Sequence, residues 1–390
     1  MFARSTSLTP RHTVLGACVL AYFGSRVGQL AIAPLVTPIV DAFQVTPGTV
    51  GVALTGMWAT YALMQLPSGL LADRHGERAV ILVALTAATL GAVGLALAPT
   101  VWVFAGVCLL LGAGVGLYYN AGTALLAREF DAVGSAIGVH RAGSQLAGVV
   151  SPVAAVAVAA RFGWRTGLLV GAAAAVPALL VTAVAVRRTP PLDPGGTVRD
   201  RVRIRRLADV VTRPGIARPT ALAVLGEFVI VATLSFLPAF LIATRGLSVT
   251  TAGVLFSGYF AVVTLYQPIA GWLADRIDPE RSAAITAVAG VVGYGSLAAG
   301  TGLESAVVGV VLAGVAMSWV TPVQAGIVER LDPGERGVGF GTVRTVYVLL
   351  GASGSAVTGL VADLAGWRAS FGLLAGCLAV GFIVLVSGRR

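Results

Sequence analysis

Four ionisable side chains stand inside long apolar stretches of the 390-residue chain: Arg26, Arg141, Glu227 and Arg344. Ionisable groups at membrane depth are costly and usually face a cavity. A guanidinium group is a planar fork of N–H donors that matches the oxygens of carboxylate, nitrate or phosphate. Because three arginines outnumber one carboxylate, the residues favour a net positive cavity with an anionic ligand clamped between Arg141 and Arg344.

Arg141 and Arg344 also have a structural interpretation. Each lies about seven residues into its apolar stretch, roughly 10 Å from the nearer membrane surface at 1.5 Å per residue. From that depth an arginine can snorkel to the surface. It can also form a gate with an acidic residue at a neighbouring helix end, here Glu129 or Glu329. Both interpretations stay open from the sequence.

The chain lacks the residues on which several catalytic classes depend. All 27 basic residues are Arg, which excludes a Walker A phosphate loop, a Schiff-base enzyme and a lysine general base. HExxH, paired-cysteine and GxSxG motifs are absent, and the three cysteines are scattered through apolar runs. We therefore expect no enzymatic activity, no metal and no cofactor.

The elements that must position these charges are membrane-spanning helices. Hydrophobic residues make up 57% of the chain and charged residues 11%, with a mean hydropathy of +0.89, whereas soluble domains carry roughly 25% charged residues. Stretches of about 20 apolar residues predict transmembrane helices. Twelve such stretches are predicted, at residues 13–40, 48–72, 79–98, 101–127, 134–160, 164–186, 219–243, 250–274, 282–301, 304–328, 338–362 and 367–387.

The arginines predict the topology. With the N-terminus inside, cytoplasmic segments hold 20 of the 27 arginines, outside loops hold four, and three lie within spans. This positive-inside bias predicts a multi-pass protein of the cell membrane with both termini cytoplasmic. It also accounts for the net charge of +10 without a nucleic-acid partner. Between the sixth and seventh spans, the arginines of residues 199–206 predict either a short helix on anionic lipid or a solvated linker.

Sequence repeats divide the chain into two halves. Gly69–Arg78 recurs as Gly271–Arg281 at an offset of 202 residues, and Gly163-Trp164-Arg165 recurs as Gly366-Trp367-Arg368 at 203. The same offset pairs Arg141 with Arg344 and places Glu227 at the depth of Arg26. We predict two parallel six-helix halves, which place a site at their interface and suffice as a monomer. The predicted segments are residues 1–186, a cytoplasmic linker 187–218, and residues 219–390.

The doubled loop motif resembles that of the major facilitator superfamily of secondary transporters. The first copy matches the family pattern GxxxDRxGxR at Gly69, Asp73, Arg74, Gly76 and Arg78. The second copy keeps Gly271, Asp275 and Arg276, has Asp278 in place of the second glycine, and has its last arginine displaced by one. The resemblance implies an all-α fold of twelve transmembrane helices, with both loops acting as a conformational latch.

The resemblance also implies that helices one, five, seven and eleven line a central cavity. Combined with helical spacing, this predicts a polar, aromatic substrate site comprising Arg26, Arg141, Arg344, Tyr118, Tyr119, Asn120, Gln145, Tyr347, Tyr259 and Trp319. Glu227 and His140 are the candidate proton-coupling groups. The alternatives are a purely structural Arg26–Glu227 pair and a His140 that makes only a structural hydrogen bond.

These residues predict a secondary active transporter, a symporter or antiporter, that moves a small organic or inorganic anion by alternating access. The alternative is a proton-coupled exporter of drugs or lipophilic cations from the same superfamily. Two departures count against it: helix four lacks the arginine typical of such antiporters, and residues 148–152 do not form their GPxxGG motif. A receptor would need a sizeable soluble domain, and a fixed pore suits a twofold repeat with buried opposed charges poorly.

Overall fold

The computed structural model describes residues 10–192, 210–331 and 336–387, and within these ranges the chain is helical with no strand. The arginines of residues 199–206, with their predicted interfacial helix, lie outside the described residues. The N-terminal half comprises α1 (Pro10–Leu30, continued by a 3-10 turn Ala33–Leu35 and by Val36–Phe43), α2 (Pro47–His75), α3 (Glu77–Leu97), α4 (Val101–Glu129), α5 (Val133–Phe162) and α6 (Trp164–Leu168, continued by Val170–Ala185).

The C-terminal half repeats this arrangement. It comprises α7 (Pro214–Arg245), α8 (Val249–Ile277), α9 (Pro279–Ala299), α10 (Gly302–Met317, continued by Val320–Glu329), α11 (Arg336–Gly351 and the start of Gly354–Ser387) and α12 (the part of Gly354–Ser387 that follows Gly366). Among the described residues, ten helical stretches are long and apolar enough to span a bilayer. One of them, the 49-residue Gly339–Ser387, breaks at Gly366 and gives two crossings, and the less apolar, 29-residue α2 gives the twelfth.

Several helices begin where side chains satisfy their first backbone donors. Thr46, Thr100 and Ser248 each accept a hydrogen bond from the backbone N–H three residues on, at 3.1–3.3 Å, as N-caps do. α7 begins at Pro214, five residues before the predicted start of the seventh span. A proline suits this position because the N–H groups of the first helical turn have no acceptor within the helix, so the missing N–H costs no hydrogen bond.

The backbone confirms the pseudo-symmetry of the two halves. Gly163 and Gly366, which are 203 residues apart, share a φ of 84°. Gly76 and Asp278, 202 residues apart, have φ values of 83° and 106°. L-residues rarely adopt this conformation, yet Asp278 holds it while its carboxylate accepts a hydrogen bond from the Arg281 N–H at 2.8 Å. Asp278 therefore keeps the backbone conformation of Gly76, the glycine at the equivalent position of the first copy.

One face of the bundle is closed by contacts between α2 and α11. The Gly48 N–H donates to Asp363 Oδ2 at 3.0 Å. The Thr55 hydroxyl donates to the Ala352 carbonyl at 3.0 Å and accepts from the Ala356 N–H at 2.9 Å. In a regular helix those two backbone groups would bond each other, so a side chain of one half is inserted into the backbone ladder of the other.

The opposite face, which carries the loop motifs, is open. A cavity of about 700 Å³ lies between α5 and α8 and reaches α1 and α10. Its wall includes Val19, Arg141, Gln145, Gln267 and Thr321. Large apolar side chains are exposed on the bundle exterior, where lipid would cover them. The two halves thus meet at one face and diverge at the other.

Candidate functional site

Arg26 of α1 lies in an aromatic enclosure formed largely by α2. Its guanidinium carbon is 5.6 Å from the ring centroids of both Trp58 and Tyr61, within the range of a cation–π contact. One guanidinium nitrogen donates to Gln29 Oε1, one turn along α1. Arg26 is two turns, roughly 10 Å, deeper than Val19 at the cavity wall. Aromatic faces and one amide therefore stabilise its charge, and among the described residues no carboxylate lies within 4.0 Å of it.

Arg344 of α11 approaches the same region from the other half. Its guanidinium carbon lies 4.9 Å from the ring centroid of Tyr119. Glu227 of α7 is in electrostatic range of both Arg344 and Arg26, yet among the described residues neither arginine lies within 4.0 Å of a carboxylate. Gly351 packs against the Glu227 side chain, where a Cβ would come within 2.7 Å of it. The two halves thus present opposite charges that are close but not paired.

His140 is enclosed by aromatic rings. The Tyr118 hydroxyl donates to the Cys18 carbonyl at 2.6 Å and lies 3.0 Å from His140 Nε2. The ring of Tyr22 stacks on His140 at 4.8 Å and on Tyr118 at 5.4 Å between centroids. Tyr118 and His140 are fully buried. These contacts favour the structural interpretation of His140, and its proton-coupling role stays a prediction.

The other predicted binding residues divide between polar contacts and packing. Asn120 Nδ2 donates to the Gln65 carbonyl at 2.5 Å, and Gln324 Nε2 donates to the Tyr347 hydroxyl at 2.9 Å. Tyr259 is fully buried with its hydroxyl 2.9 Å from a methionine sulfur. Trp319 packs against the backbone of Gly226, next to Glu227. Tyr259 and Trp319 therefore pack within the bundle, and their part in substrate binding stays a prediction.

Arg141 and Gln145 lie on the wall of the open cavity rather than beside Arg26. Arg141 is exposed, and Gln145 Nε2 donates to Gln267 Oε1 of the other half at 3.0 Å. In the described part of the chain, neither Arg141 nor Arg344 forms an ion pair with Glu129 or Glu329. The structure thus places Arg344 within the aromatic cluster and Arg141 near the mouth, and the clamp between them stays a prediction.

Sequence reasoning missed the contribution of α2. Trp58, Tyr61 and Gln65 are buried and lie on one face of this helix, at spacings of three and four residues. Tyr61 is in electrostatic range of Arg26, Arg344 and Glu227. The sequence signal that could have identified these residues is their helical spacing, which places a polar amide on the same helix face as two amphipathic aromatic side chains.

The first loop motif is fastened to the end of α6 and to the start of the linker that follows it. Arg78 donates to the Ala183 carbonyl at 2.7 Å through its guanidinium group and to Thr189 Oγ1 at 3.2 Å through its backbone N–H. The Asp73 carbonyl accepts from the Leu192 N–H at 2.8 Å. Gly76 is needed because a Cβ there would collide with Thr189. These bonds hold the motif against the end of α6 and the chain that follows it.

The second motif is more exposed. Asp275 and Arg276 are both exposed, and the guanidinium carbon of Arg276 lies 4.6 Å from the ring centroid of Trp272. In the first copy, Arg74 is likewise exposed. Gly69 faces open space, and Gly271 lies near the methyl group of Thr321. The latch function of both loops stays a prediction.

The sequence profile of the Major Facilitator Superfamily matches residues 18–298 and 220–390. The chain belongs to this family. It is therefore a multi-pass membrane transporter of a small solute and not an enzyme.

One relative is the probable sulfoacetate transporter SauU of Cupriavidus necator, 24% identical over 215 residues. The match covers 55% of this chain and 49% of SauU, so the chain spans about half the length of that relative. A bacterial homologue of the human lysosomal transporter Spinster, in an inward-facing and unoccupied conformation, is 17% identical with a TM-score of 0.83, covering 98% of each chain. The nucleoside transporter NupG is 14% identical with a TM-score of 0.79, covering 98% of this chain and 100% of NupG. Both structures share the fold.

Proposed function

We propose that this transporter carries small organic anions across the cell membrane by alternating access, together with a proton. One observation carries the proposal: Arg26 and Arg344 reach one aromatic region from opposite halves, and neither has a carboxylate within ion-pair distance among the described residues. An uncompensated charge at membrane depth is costly. An anionic substrate offsets that cost by accepting hydrogen bonds from both groups.

The chemistry of the relative agrees with this proposal. Sulfoacetate, the solute named for SauU, is a small organic anion of the kind that guanidinium groups bind through charge-assisted hydrogen bonds. A lipophilic cation would instead have to approach two arginines with only Glu227 as a counter-charge. The balance of charge therefore supports an anion over the alternative of drug or cation export.

Glu227 supplies the proposed coupling. Its carboxylate and a substrate anion would compete for the same two arginines, so a proton on Glu227 favours anion binding. The charged and titratable groups in electrostatic range of Glu227 are Arg26, Arg344, Tyr61, Tyr259 and Tyr347. Glu227 is the one acidic group in this set. Anion and proton would therefore move in the same direction, which makes the protein a symporter.

The proposed orientation follows the positive-inside rule. The open face carries both loop motifs, and in the sequence the arginine-rich segment lies between the ends of α6 and α7. Such segments stay on the cytoplasmic side. The structure would then correspond to the state from which solute exchanges with the cytoplasm.

Uptake into proteoliposomes tests the function. We expect radiolabelled sulfoacetate to accumulate and an inward proton gradient to accelerate it, while tetraphenylphosphonium does not accumulate. The Glu227→Gln variant should lose the acceleration, and Glu304→Gln, at an exposed position on α10, should keep it. Transport of the cation without the anion would overturn the proposal and assign Glu227 as a substrate counter-charge.

A further inference from the structure

α1 and α2 carry buried N–H donors that have no hydrogen-bond partner among the described residues. These donors are Arg26 Nε and Gln29 Nε2 on α1, and Trp58 Nε1 and Gln65 Nε2 on α2. The side chains of Gln29, Trp58 and Gln65 are 3%, 3% and 4% exposed. A buried donor without an acceptor costs about 1–3 kcal/mol. Four such donors on two helices therefore require an explanation.

A bound ligand rich in acceptors would satisfy this cluster. The atoms left unpartnered here are all donors, so the ligand that fits must offer oxygens rather than N–H or O–H groups. The guanidinium of Arg26, against the rings of Trp58 and Tyr61, supplies a positive charge at the same place. Donors around a cation select an oxyanion.

We infer that the donors of α1 and α2 bind the charged end of the substrate, and that this end is a sulfonate-type group with three oxygens. The inference rests on the proposed function and deepens it. Guanidinium, indole and amide donors belong to three different side chains, Arg26, Trp58 and Gln65. A sulfonate spreads three acceptor oxygens around one sulfur, whereas a carboxylate has two oxygens in one plane. A carboxylate also offers about four lone-pair sites, but they lie in one plane, whereas the three sulfonate oxygens point in different directions and can reach donors on both helices.

The order of the residues along α2 gives the approach of the substrate. α2 runs from the closed face at Pro47 to the open face at His75, so Gln65 lies nearer the open cavity than Tyr61, and Trp58 lies deeper. An entering anion meets the Gln65 amide first and the Trp58 indole last. Tyr61, in electrostatic range of Arg344 and Glu227 as well as Arg26, directs the remainder of the substrate toward α11.

Two variants of α2 test this assignment. Trp58→Phe removes the indole N–H and keeps an aromatic ring, and Gln65→Leu removes the amide and leaves its backbone carbonyl bonded to Asn120. Trp102→Phe, at a position that is 78% exposed on α4, is the matched control. Each protein is reconstituted, and inhibition of sulfoacetate uptake by ethanesulfonate is compared with inhibition by propionate, which has the same alkyl group.

We expect the wild type and Trp102→Phe to prefer ethanesulfonate over propionate about tenfold, and Trp58→Phe and Gln65→Leu to reduce that preference to about threefold or less. Gln65→Glu, of similar size, should abolish inhibition by either anion. Thermal stability in detergent identifies a variant that fails to fold. If one of the three variants of α2 fails to fold, the remaining two test the inference. Absence of anion uptake by the wild type would overturn the proposed function, and this inference with it. Unchanged preference in folded, active variants would overturn the inference alone.

Discussion

α2 and α8 occupy equivalent positions in the two halves, yet they use their inner faces differently. The 202-residue offset aligns Trp58 with Phe260 and Gln65 with Gln267. On α8, Phe260 packs against Gly148 of α5, and Gln267 accepts a hydrogen bond from Gln145 at 3.0 Å. On α2 the Trp58 indole, which lies beside Arg26, and the Gln65 amide have no hydrogen-bond partner among the described residues. Both helices contact the other half, but at these equivalent positions α8 packs against α5, whereas α2 carries donors that we propose for a ligand.

The largest effect should come from the arginine beside α2. Arg26→Gln removes the only full charge in the donor cluster, and we expect sulfoacetate uptake to fall at least about 100-fold in kcat/KM, since charge-assisted hydrogen bonds are the strong ones. Arg26→Lys should recover part of this loss, because it restores the charge without the fork. Initial rates in proteoliposomes measure both. Uptake within threefold of wild type in Arg26→Gln would show that the donors of α2 do not serve the substrate.

Arg141 and Arg344, which the repeat pairs, should differ in how much uptake is lost when each is replaced. Arg344→Gln removes the charge that faces Tyr119 and Glu227, so we expect a loss of about 30-fold or more in kcat/KM. Arg141 is exposed at the cavity wall, and its replacement by Gln should cost only about threefold, mostly at low salt, because exposed charges are screened. Uptake assays at two ionic strengths separate the cases. Equal, complete loss in both folded variants would instead support a clamp between the two arginines.

Because α8 packs against α5, a substitution at this contact should reduce uptake less than the arginine substitutions do. A Cβ added by Gly148→Ala would collide with the ring of Phe260, so the halves cannot pack as closely. We expect uptake to fall about three- to tenfold, while the preference between ethanesulfonate and propionate is unchanged. Gly258→Ala, which meets open space on α8, is the control. An altered preference in Gly148→Ala would mean that α8 also contacts the substrate.

Two ion pairs at the open face repeat the difference between the halves. Glu77 pairs with Arg128 at 2.9 Å and Glu280 pairs with Arg330 at 2.8 Å, again at the repeat offset. The Glu77 side chain is 2% exposed and that of Glu280 is 30% exposed. Arg128 also donates to the Pro190 carbonyl at 3.1 Å, whereas Arg330 donates to Gly326 of its own helix. The first pair therefore fastens the chain that leaves α6, and the second pair is local.

The smallest effect should distinguish these two pairs. Glu77→Gln leaves Arg128 without its buried partner and should destabilise the protein by about 2 kcal/mol. Glu280→Gln should cost less than about 1 kcal/mol, as exposed pairs do. Thermal unfolding in detergent compares the two variants directly. A larger shift in Glu280→Gln would contradict the ranking by burial.

The twelve spans, the repeat and the similar depth of Arg26 and Glu227 could be predicted because each depends on periodicity or on a charge in an apolar run. The approach of Arg344 to the aromatic region around Arg26 could not, because the repeat pairs Arg344 with Arg141. The orientation of aromatic residues could not. Tyr118 and Tyr259 lie in helices that are apolar on all sides, so their spacing does not show whether they face a cavity or a neighbouring helix, and both turn out fully buried. Trp58 and Tyr61 were missed for the same reason. Their role depends on the position of Arg26 across the interface, which no local pattern contains.

The Thr55 hydroxyl inserted into α11 has a consequence for the energy of the conformational cycle. When α2 and α11 separate, Ala352 and Ala356 lose their bonds to Thr55 and become free to bond each other, which straightens α11. Thr55 can then donate to a carbonyl one turn back on its own helix, as buried threonines do. At Thr55 hydrogen bonds are exchanged rather than lost, so this contact can open at little net enthalpic cost and adds little to the free-energy difference between the two end states. The bond between Gly48 and Asp363 is lost when the face opens. A transporter alternates between the two states in every cycle, so neither state can be much lower in free energy than the other. The exchange of hydrogen bonds at the Thr55 hydroxyl helps to keep the two free energies close.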